Sequence, residues 1–294
     1  MKRFGYALAA LAIAALAPLG AQAEEKLKVV ASFSILGDMV EQVAGDMATV
    51  ETIVGPDADA HIYAPSVADA RAVAEADLIF VNGLGFETWS DTLIENAGAT
   101  APVLVATQGV DPLLVEGDVD PHAWNALTNG LIYVANIADG LAAADPANAA
   151  AYRANAAAYS ADLKALHEDA VATFAALPSD RRTVVTAHDA FGYLANAYGL
   201  EFLAPVGIDT EAEPSAKELA ELIAQLKERK VAALFVENIT SPALVNQISE
   251  ETGLKIGGRL FSDALSERGG PATSYVAMFR HNLETIQTAL SGAS

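Results

Sequence analysis

The sequence predicts an α/β architecture of two lobes with mostly parallel sheets joined by one long rigid helix, and three observations carry that prediction. Short β-rich runs alternate with helical runs in both halves of the chain, the pattern that packs helices against a largely parallel sheet. One alanine-rich helical segment stands between the halves. Helix starts of the capping-box type occur in each half.

In the first half, strands are expected at Leu27 to Ser32, Val50 to Val54, Leu78 to Asn82 and Val103 to Ala106. In the second they are expected at Thr183 to Thr186, Glu201 to Pro205, Ala233 to Glu237 and Ile256 to Phe261. Ser66 with Asp69, and Ser215 with Glu218, have the spacing at which side chains satisfy free amides in a helix's first turn. Pro242 opens a helix that Gly253 stops. The segment from Pro146 to Leu177 has Asp145 as its expected cap and Pro178 as its terminator. Its larger apolar residues, Tyr152, Tyr159, Leu163, Leu166, Phe174 and Leu177, recur on one helical face. A helix of that length runs to roughly 48 Å, longer than one small domain is wide, and is expected to tie both lobes together. So stiff a link predicts little hinge bending, with ligand trapped by small local movements. The expected organisation is a leader over 1–23, an N-terminal lobe over 24–144, the link over 145–178 and a C-terminal lobe over 179–294. No sequence-level repeat relates the two halves, and the apolar content of 52% is ample for two cores.

Export is predicted by the first residues. Met1-Lys2-Arg3 precedes an apolar stretch from Leu8 to Leu16, then Pro18 and the small-residue run Ala21-Gln22-Ala23, the order of a cleavable secretory signal. The apolar run falls far short of the ~20 residues a spanning helix requires. Cleavage is expected after Ala23, leaving Glu24 first. The chain holds no cysteine, which removes disulfides, thiolate metal ligands, thiol nucleophiles and the residue a bacterial lipoprotein uses for its lipid. A freely diffusing periplasmic monomer without a lipid anchor is expected. The formal charge of -21 becomes more negative once Lys2 and Arg3 are lost. Nucleic acid and anionic membrane would be repelled, and a cationic ligand attracted.

The five histidines differ in setting. His61 lies in the turn-rich segment Gly55-Pro56-Asp57-Ala58-Asp59-Ala60-His61, His122 in Asp120-Pro121-His122-Ala123-Trp124, and His188 at the end of the strand from Thr183. All three sit where strands hand over to loops or helices, the edge at which open α/β sheets bind ligands. His167 and His281 lie inside helical runs and read as packed or solvated helix residues. Three imidazoles at such edges, without any cysteine, point to a divalent transition ion, and a carboxylate would complete a tetrahedron. Asp263 is the best carboxylate because it follows the strand ending at Phe261; Glu237, at the end of its own strand, is the competitor. Glu237 has two open roles, behind a ligand or at the start of the following helix. Asp59, Asp120 and Asp189 are placed to orient histidine rings, although turn and cap duty explains each of them.

These segments carry a resemblance. Gly55 to Pro65, Ala76 to Gly83, Asp120-Pro121-His122 with Trp124, His188-Asp189-Ala190-Phe191-Gly192-Tyr193, Glu213-Pro214-Ser215 and Ser262-Asp263-Ala264-Leu265 together resemble the zinc- and manganese-binding solute-binding proteins of ABC importers, over essentially the whole mature length. Within that family the chain is similar to the ZnuA and AztC subtypes. The resemblance implies two ligands from each lobe, His61, His122, His188 and Asp263, with Zn2+ as the ion and Mn2+ less favoured, because manganese-type relatives tend to carry a Glu where His188 stands. It implies an ABC permease and a periplasmic metallochaperone as partners. Two departures stand out. Leu114 to Val119 is short and histidine-free where many zinc-type relatives carry a His-rich loop, which weakens the chaperone expectation, and Asn125-Ala126 replaces the usual Leu-Asp. A periplasmic zinc-dependent hydrolase is the alternative from another class, but no H-E-x-x-H helix is present, and the chain is expected not to be an enzyme.

Overall fold

A computed structural model describes residues 26–292; the expected leader lies outside them. The first half builds β1 (Leu27–Phe33), α1 (Ser34–Ala44), β2 (Ala48–Val54), α2 (Val67–Glu75), β3 (Leu78–Val81), α3 (Ser90–Ala97) and β4 (Val103–Val105). A small antiparallel hairpin follows, β5 (Leu114–Val115) with β6 (Asp118–Val119), and then two helices, α4 (Leu127–Ala144) and α5 (Ala149–Ala175). The second half holds β7 (Thr183–Val185), α6 (Gly192–Tyr198), β8 (Glu201–Leu203), α7 (Ala216–Glu228), β9 (Ala233–Glu237), α8 (Ala243–Thr252), β10 (Ile256–Leu260) and α9 (Tyr275–Ser291). Among the described residues no helix is long and apolar enough to cross a membrane.

Each lobe is a four-stranded parallel sheet, ordered β2-β1-β3-β4 in the first and β10-β9-β7-β8 in the second. Counted from the first strand of each half, both orders are second, first, third, fourth. The sequence shows no repeat, yet the topology is duplicated, because sheet order depends on the handedness and reach of βαβ connections rather than on matching residues. β1 and β3 are buried almost throughout, as central strands covered on both faces must be, and so carry continuous apolar runs such as Leu78-Ile79-Phe80-Val81.

Both expected capping boxes form. Ser66 accepts from the Asp69 amide while the Asp69 carboxylate accepts from the Ser66 amide, and Ser215 and Glu218 make the same pair. Gly253 closes α8 in the left-handed conformation at φ 73°. The long helix differs from expectation at its start. Asp145 ends α4, and α5 begins after Asn148, whose side chain donates to Asp145 Oδ2 at 2.7 Å beside a 2.8 Å bond from Tyr152. Its 27 residues span ~40 Å. The segment expected as a plain loop at 114–119 is instead the β5–β6 hairpin, with Glu116 and Gly117 both at positive φ in its turn; a hairpin this short offers almost no alternation to read.

The apolar stripe of α5, Tyr152, Tyr159, Leu163, Leu166 and Phe174, is buried. It belongs to a core that runs through both lobes, from Val29, Phe33 and Phe80 to Phe191, Phe235 and Phe279. A smaller cluster, Val185, Ile223, Leu226, Leu234, Val245 and Ile248, lies on the outer face of the second sheet. The chain thus has two apolar clusters, and the larger is shared between the lobes because α5 and α9 carry apolar residues that close the space between the sheets. α9 also docks on the first lobe, where the Tyr275 amide donates to Asp38 Oδ2 at 2.8 Å and its hydroxyl to the Trp124 carbonyl at 2.6 Å.

Leu163→Ala is expected to destabilise the protein by about 2–5 kcal/mol through the cavity it leaves in the shared core. The neighbouring exposed Lys164→Ala should change stability by less than about 0.5 kcal/mol. Urea unfolding of the two variants tests the contrast.

Candidate metal centre

Both sheets turn their carboxyl ends toward the space between the lobes. His61 follows β2, His122 opens the short 3-10 turn Ala123–Asn125 after the hairpin, His188 follows β7, and Asp263 follows β10. β7 and β8 extend their pairing through a bridge between His188 and Val206, which fixes the backbone at His188 itself.

The structure brings these four side chains to one point. His61 Nε2 lies 3.3 Å from His122 Nε2 and 3.2 Å from Asp263 Oδ2. Asp263 Oδ2 lies 3.0 Å from His188 Nε2 and 3.7 Å from His122 Nε2. One donor atom from each of the four falls within 4.8 Å of all the others. Donors ~2.0–2.1 Å from a tetrahedral ion stand about 3.3 Å apart, so the spacing fits a four-coordinate cation. His122, His188 and Asp263 are fully buried and His61 is 6% exposed. Asp263 Oδ1 has no protein donor although it is buried, a lone pair that a cation can satisfy.

Each ring is held from behind. His122 Nδ1 donates to Asp120 Oδ1 at 2.8 Å, and the same oxygen accepts the His122 amide at 2.9 Å, so Asp120 serves both the turn and the ring. That corrects the expectation that turn duty alone explains Asp120. Gly192 makes room for it, because a Cβ there would stand 2.6 Å from Asp120 Oδ2. His188 Nδ1 stands 2.6 Å from Glu237 Oε2, off the ideal hydrogen-bond angle, and Glu237 Oε1 accepts the amides of Ala187 and His188. Glu237 thus sits behind His188 and is not a helix partner. His61 is steered by the edge-on contact of Phe86, 4.8 Å between ring centroids, and by Asp59 Oδ1, which accepts its amide. Asp189 instead donates its amide to the Gly207 carbonyl. Outside the cluster, His167 pairs with the Tyr198 hydroxyl at 3.1 Å and His281 donates to the Arg259 carbonyl at 3.0 Å.

Sequence reasoning missed the pins around His122. Trp124 Nε1 donates to the Ser262 carbonyl at 2.7 Å, Asn125 Nδ2 to the Ala190 carbonyl at 2.9 Å and Tyr193 Oη to the Asp120 carbonyl at 3.1 Å, all between lobes. Behind them Asn82 Nδ2 donates to the Pro121 carbonyl, and Glu87 accepts from Ser32, Asn82 and Gly83. Trp124, Asn125 and Tyr193 lie in the motifs already quoted, but their partners are more than sixty residues distant in sequence and leave no local signal.

Burial works against charge on the His122 imidazole, but Asp263 and Asp120 outweigh it and push its pKa up to about 9. His188 is also raised well above its usual value, with burial opposing and Glu237 and Asp263 prevailing. Burial would raise Asp263, yet His188 and His122 hold it well below the usual carboxylate range.

These features define a class, a two-lobed substrate-binding protein of an ABC importer whose cleft is built for a metal ion. Residues 29–289 match the ZnuA family, described as Zinc-uptake complex component A periplasmic, and the chain belongs to that family. It is 35% identical over 278 residues to the manganese ABC transporter substrate-binding lipoprotein PsaA of Streptococcus anginosus, covering 91% of this chain and 90% of that protein. It has the same identity and coverage, again over 278 residues, with the iron ABC transporter substrate-binding lipoprotein MtsA of Streptococcus pyogenes serotype M1. Among solved structures, the periplasmic zinc binding protein TroA from Treponema pallidum superposes with a TM-score of 0.87 at 30% identity, covering 90% of this chain and 99% of that one. A Mn-bound periplasmic metal binding protein from Candidatus Liberibacter asiaticus superposes at 0.82 with 32% identity, covering 90% and 100%.

A pH effect on the metal-free protein follows from His122. Its folded pKa lies above the ~6.5 of an unfolded chain, so its stabilisation is complete below ~6.5 and lost as pH rises through about 9. The urea midpoint of metal-free protein should fall across that window, and His122→Gln should flatten the fall.

Proposed function

We propose that this chain captures zinc with high affinity in the periplasm and delivers it to the permease of an ABC importer, with His61, His122, His188 and Asp263 as the four ligands. The observation that carries the reading is the convergence of three imidazole nitrogens and one carboxylate oxygen, all buried, within 4.8 Å of one another. Such a set is softer than two imidazoles with two carboxylates, and it matches tetrahedral zinc better than ions that prefer more oxygen ligands. The orienting carboxylates Asp120 and Glu237 favour the tautomers that turn Nε2 toward the ion and raise imidazole basicity. Four protein donors support capture over hydrolysis, because a catalytic zinc keeps a position for water. We read 24–144 and 179–294 as the two metal-binding lobes and 145–178 as the link between them. PsaA and MtsA are named lipoproteins, and the present 294 residues contain no cysteine.

Manganese is the second reading, favoured by the name of PsaA and by the Mn-bound structural neighbour. Competition calorimetry on metal-free protein separates the two. Zinc should bind at one equivalent and resist displacement by excess manganese, whereas displacement would assign the site to manganese and an absence of stoichiometric uptake would remove the proposal. Uptake at neutral pH should also release protons from His122 and His188, read as a dependence of the heat on buffer ionisation enthalpy, and affinity should fall as pH drops.

Two substitutions test the ligand assignment. Asp263→Ala should weaken zinc binding by several orders of magnitude, since it removes a ligand and leaves the raised imidazoles without their counter-charge, while His167→Ala should leave affinity unchanged. Asp120→Ala should cost roughly 10–100-fold. Equal affinities for Asp263→Ala and wild type would mean that the ion sits elsewhere.

A further inference from the structure

The loop that carries His61 and the loop that carries Asp263 come from opposite lobes, and Asp57 fastens one to the other. Gly55-Pro56-Asp57 leaves β2 in a turn that sets Asp57 at φ 52°, a left-handed conformation that aspartate adopts more readily than most residues. Its amide donates to the Leu265 carbonyl at 2.9 Å. Its Oδ1 accepts from Asn238 Nδ2 at 2.9 Å and its Oδ2 from the Glu267 amide at 3.1 Å. Asn238 Nδ2 also donates to the Ala264 carbonyl at 3.2 Å, and the Leu265 amide donates to Ser34 Oγ at 3.0 Å. Asp59 adds a second tie, accepting the Thr210 hydroxyl at 2.6 Å while its other oxygen holds the His61 amide.

The partners of Asp57 are neighbours of the site on the far side of the cleft. Asn238 directly follows Glu237, which stands behind His188, and Ala264, Leu265 and Glu267 follow Asp263. The two sides of the cluster are therefore connected by a carboxylate that touches none of the four candidate ligands. Asp57 is exposed and the Asp59–Thr210 tie half-buried, whereas the cross-lobe pins Trp124, Asn125, Tyr193 and Tyr275 are buried. The buried pins join the lobes on the interior side, and the Asp57 contacts lie at the rim.

Resting on the zinc-capture reading above, we propose that Asp57 is a positioning residue that clasps the His61 loop to the Asp263 loop and thereby sets the rate at which captured ion escapes. An ion held by donors from both lobes leaves when one set recedes from the other. A contact between the loops that bear those donors stabilises the closed arrangement relative to the open one. Since the ion enters the open arrangement, loss of the clasp speeds release and does not slow entry.

The test is stopped-flow transfer of zinc from the loaded full chain to excess chelator. Asp57→Ala should release zinc roughly 10–100-fold faster, with association no slower than in wild type. Asp57→Asn, which tolerates the same backbone conformation and keeps one acceptor oxygen, should fall between. Asn238→Ala should accelerate release by a smaller factor, and Asp57→Ala with Asn238→Ala together should release no faster than Asp57→Ala alone. Cobalt(II) bound to Asp57→Ala should show the wild-type absorption bands, because the ligands themselves are unaltered. Release from Asp57→Ala within twofold of wild type overturns the proposal, as does a slowed association or a changed cobalt spectrum, either of which assigns Asp57 to the shape of the His61 loop. If Asp57→Ala does not fold, Asn238→Ala decides by the same release measurement. A wild-type chain that takes up no zinc overturns the capture reading itself, an outcome distinct from normal capture with unaltered release.

Discussion

The Asp263 carboxylate has no contact with solvent, and the rest of the centre is arranged around that cost. Burying a lone carboxylate is strongly unfavourable unless hydrogen bonds and opposite charge compensate it. Here the compensation comes from imidazoles on both lobes: His188 and His61 within 3.2 Å of Oδ2, and His122 at 3.7 Å. The rings can carry protons because Asp120 and Glu237 stand behind two of them. On the proposed zinc-capture function, protons and the ion are alternatives for the same cage, and affinity is tied to acidity through the groups that hold the cage together.

Such a cage needs its walls held to within fractions of an ångström, and the fold supplies this in two ways. Both lobes repeat one sheet order, so the carboxyl ends of eight parallel strands face a common cleft. The apolar core then continues through α5 and α9 from one sheet to the other, which joins the lobes over a broad packed surface as well as through the chain. The cross-lobe bonds of Trp124, Asn125 and Tyr193 add directional restraint close to His122. At the rim, the contacts of Asp57 with Asn238 and Glu267 are polar and exposed.

Strand and helix positions were legible in the sequence because they depend on local patterning. Buried parallel strands such as β3 are short apolar runs, the Ser66 and Ser215 boxes are fixed spacings, and the α5 stripe is a single face. The residues gathered in the centre were legible for another reason: histidine is scarce in this chain, and three of its five copies fall at strand-to-loop junctions. The start of α5 was misjudged because Asp145-Pro146 has the form of a helix opening but serves as the joint between two helices.

By itself the sequence determined the alternation of strands and helices, their approximate limits, and which imidazoles stand at the ends of strands, since each depends on residues within a few turns of one another. Only the tertiary structure decided that the two sheets share one order and one core, that Asp120 and Glu237 stand behind His122 and His188, and that Asp57 reaches Asn238 and Glu267 across the cleft. The physical reason is distance along the chain: a hydrogen bond between residues some 180 or 210 positions apart imposes no local pattern, and becomes visible only when folding brings its two ends together.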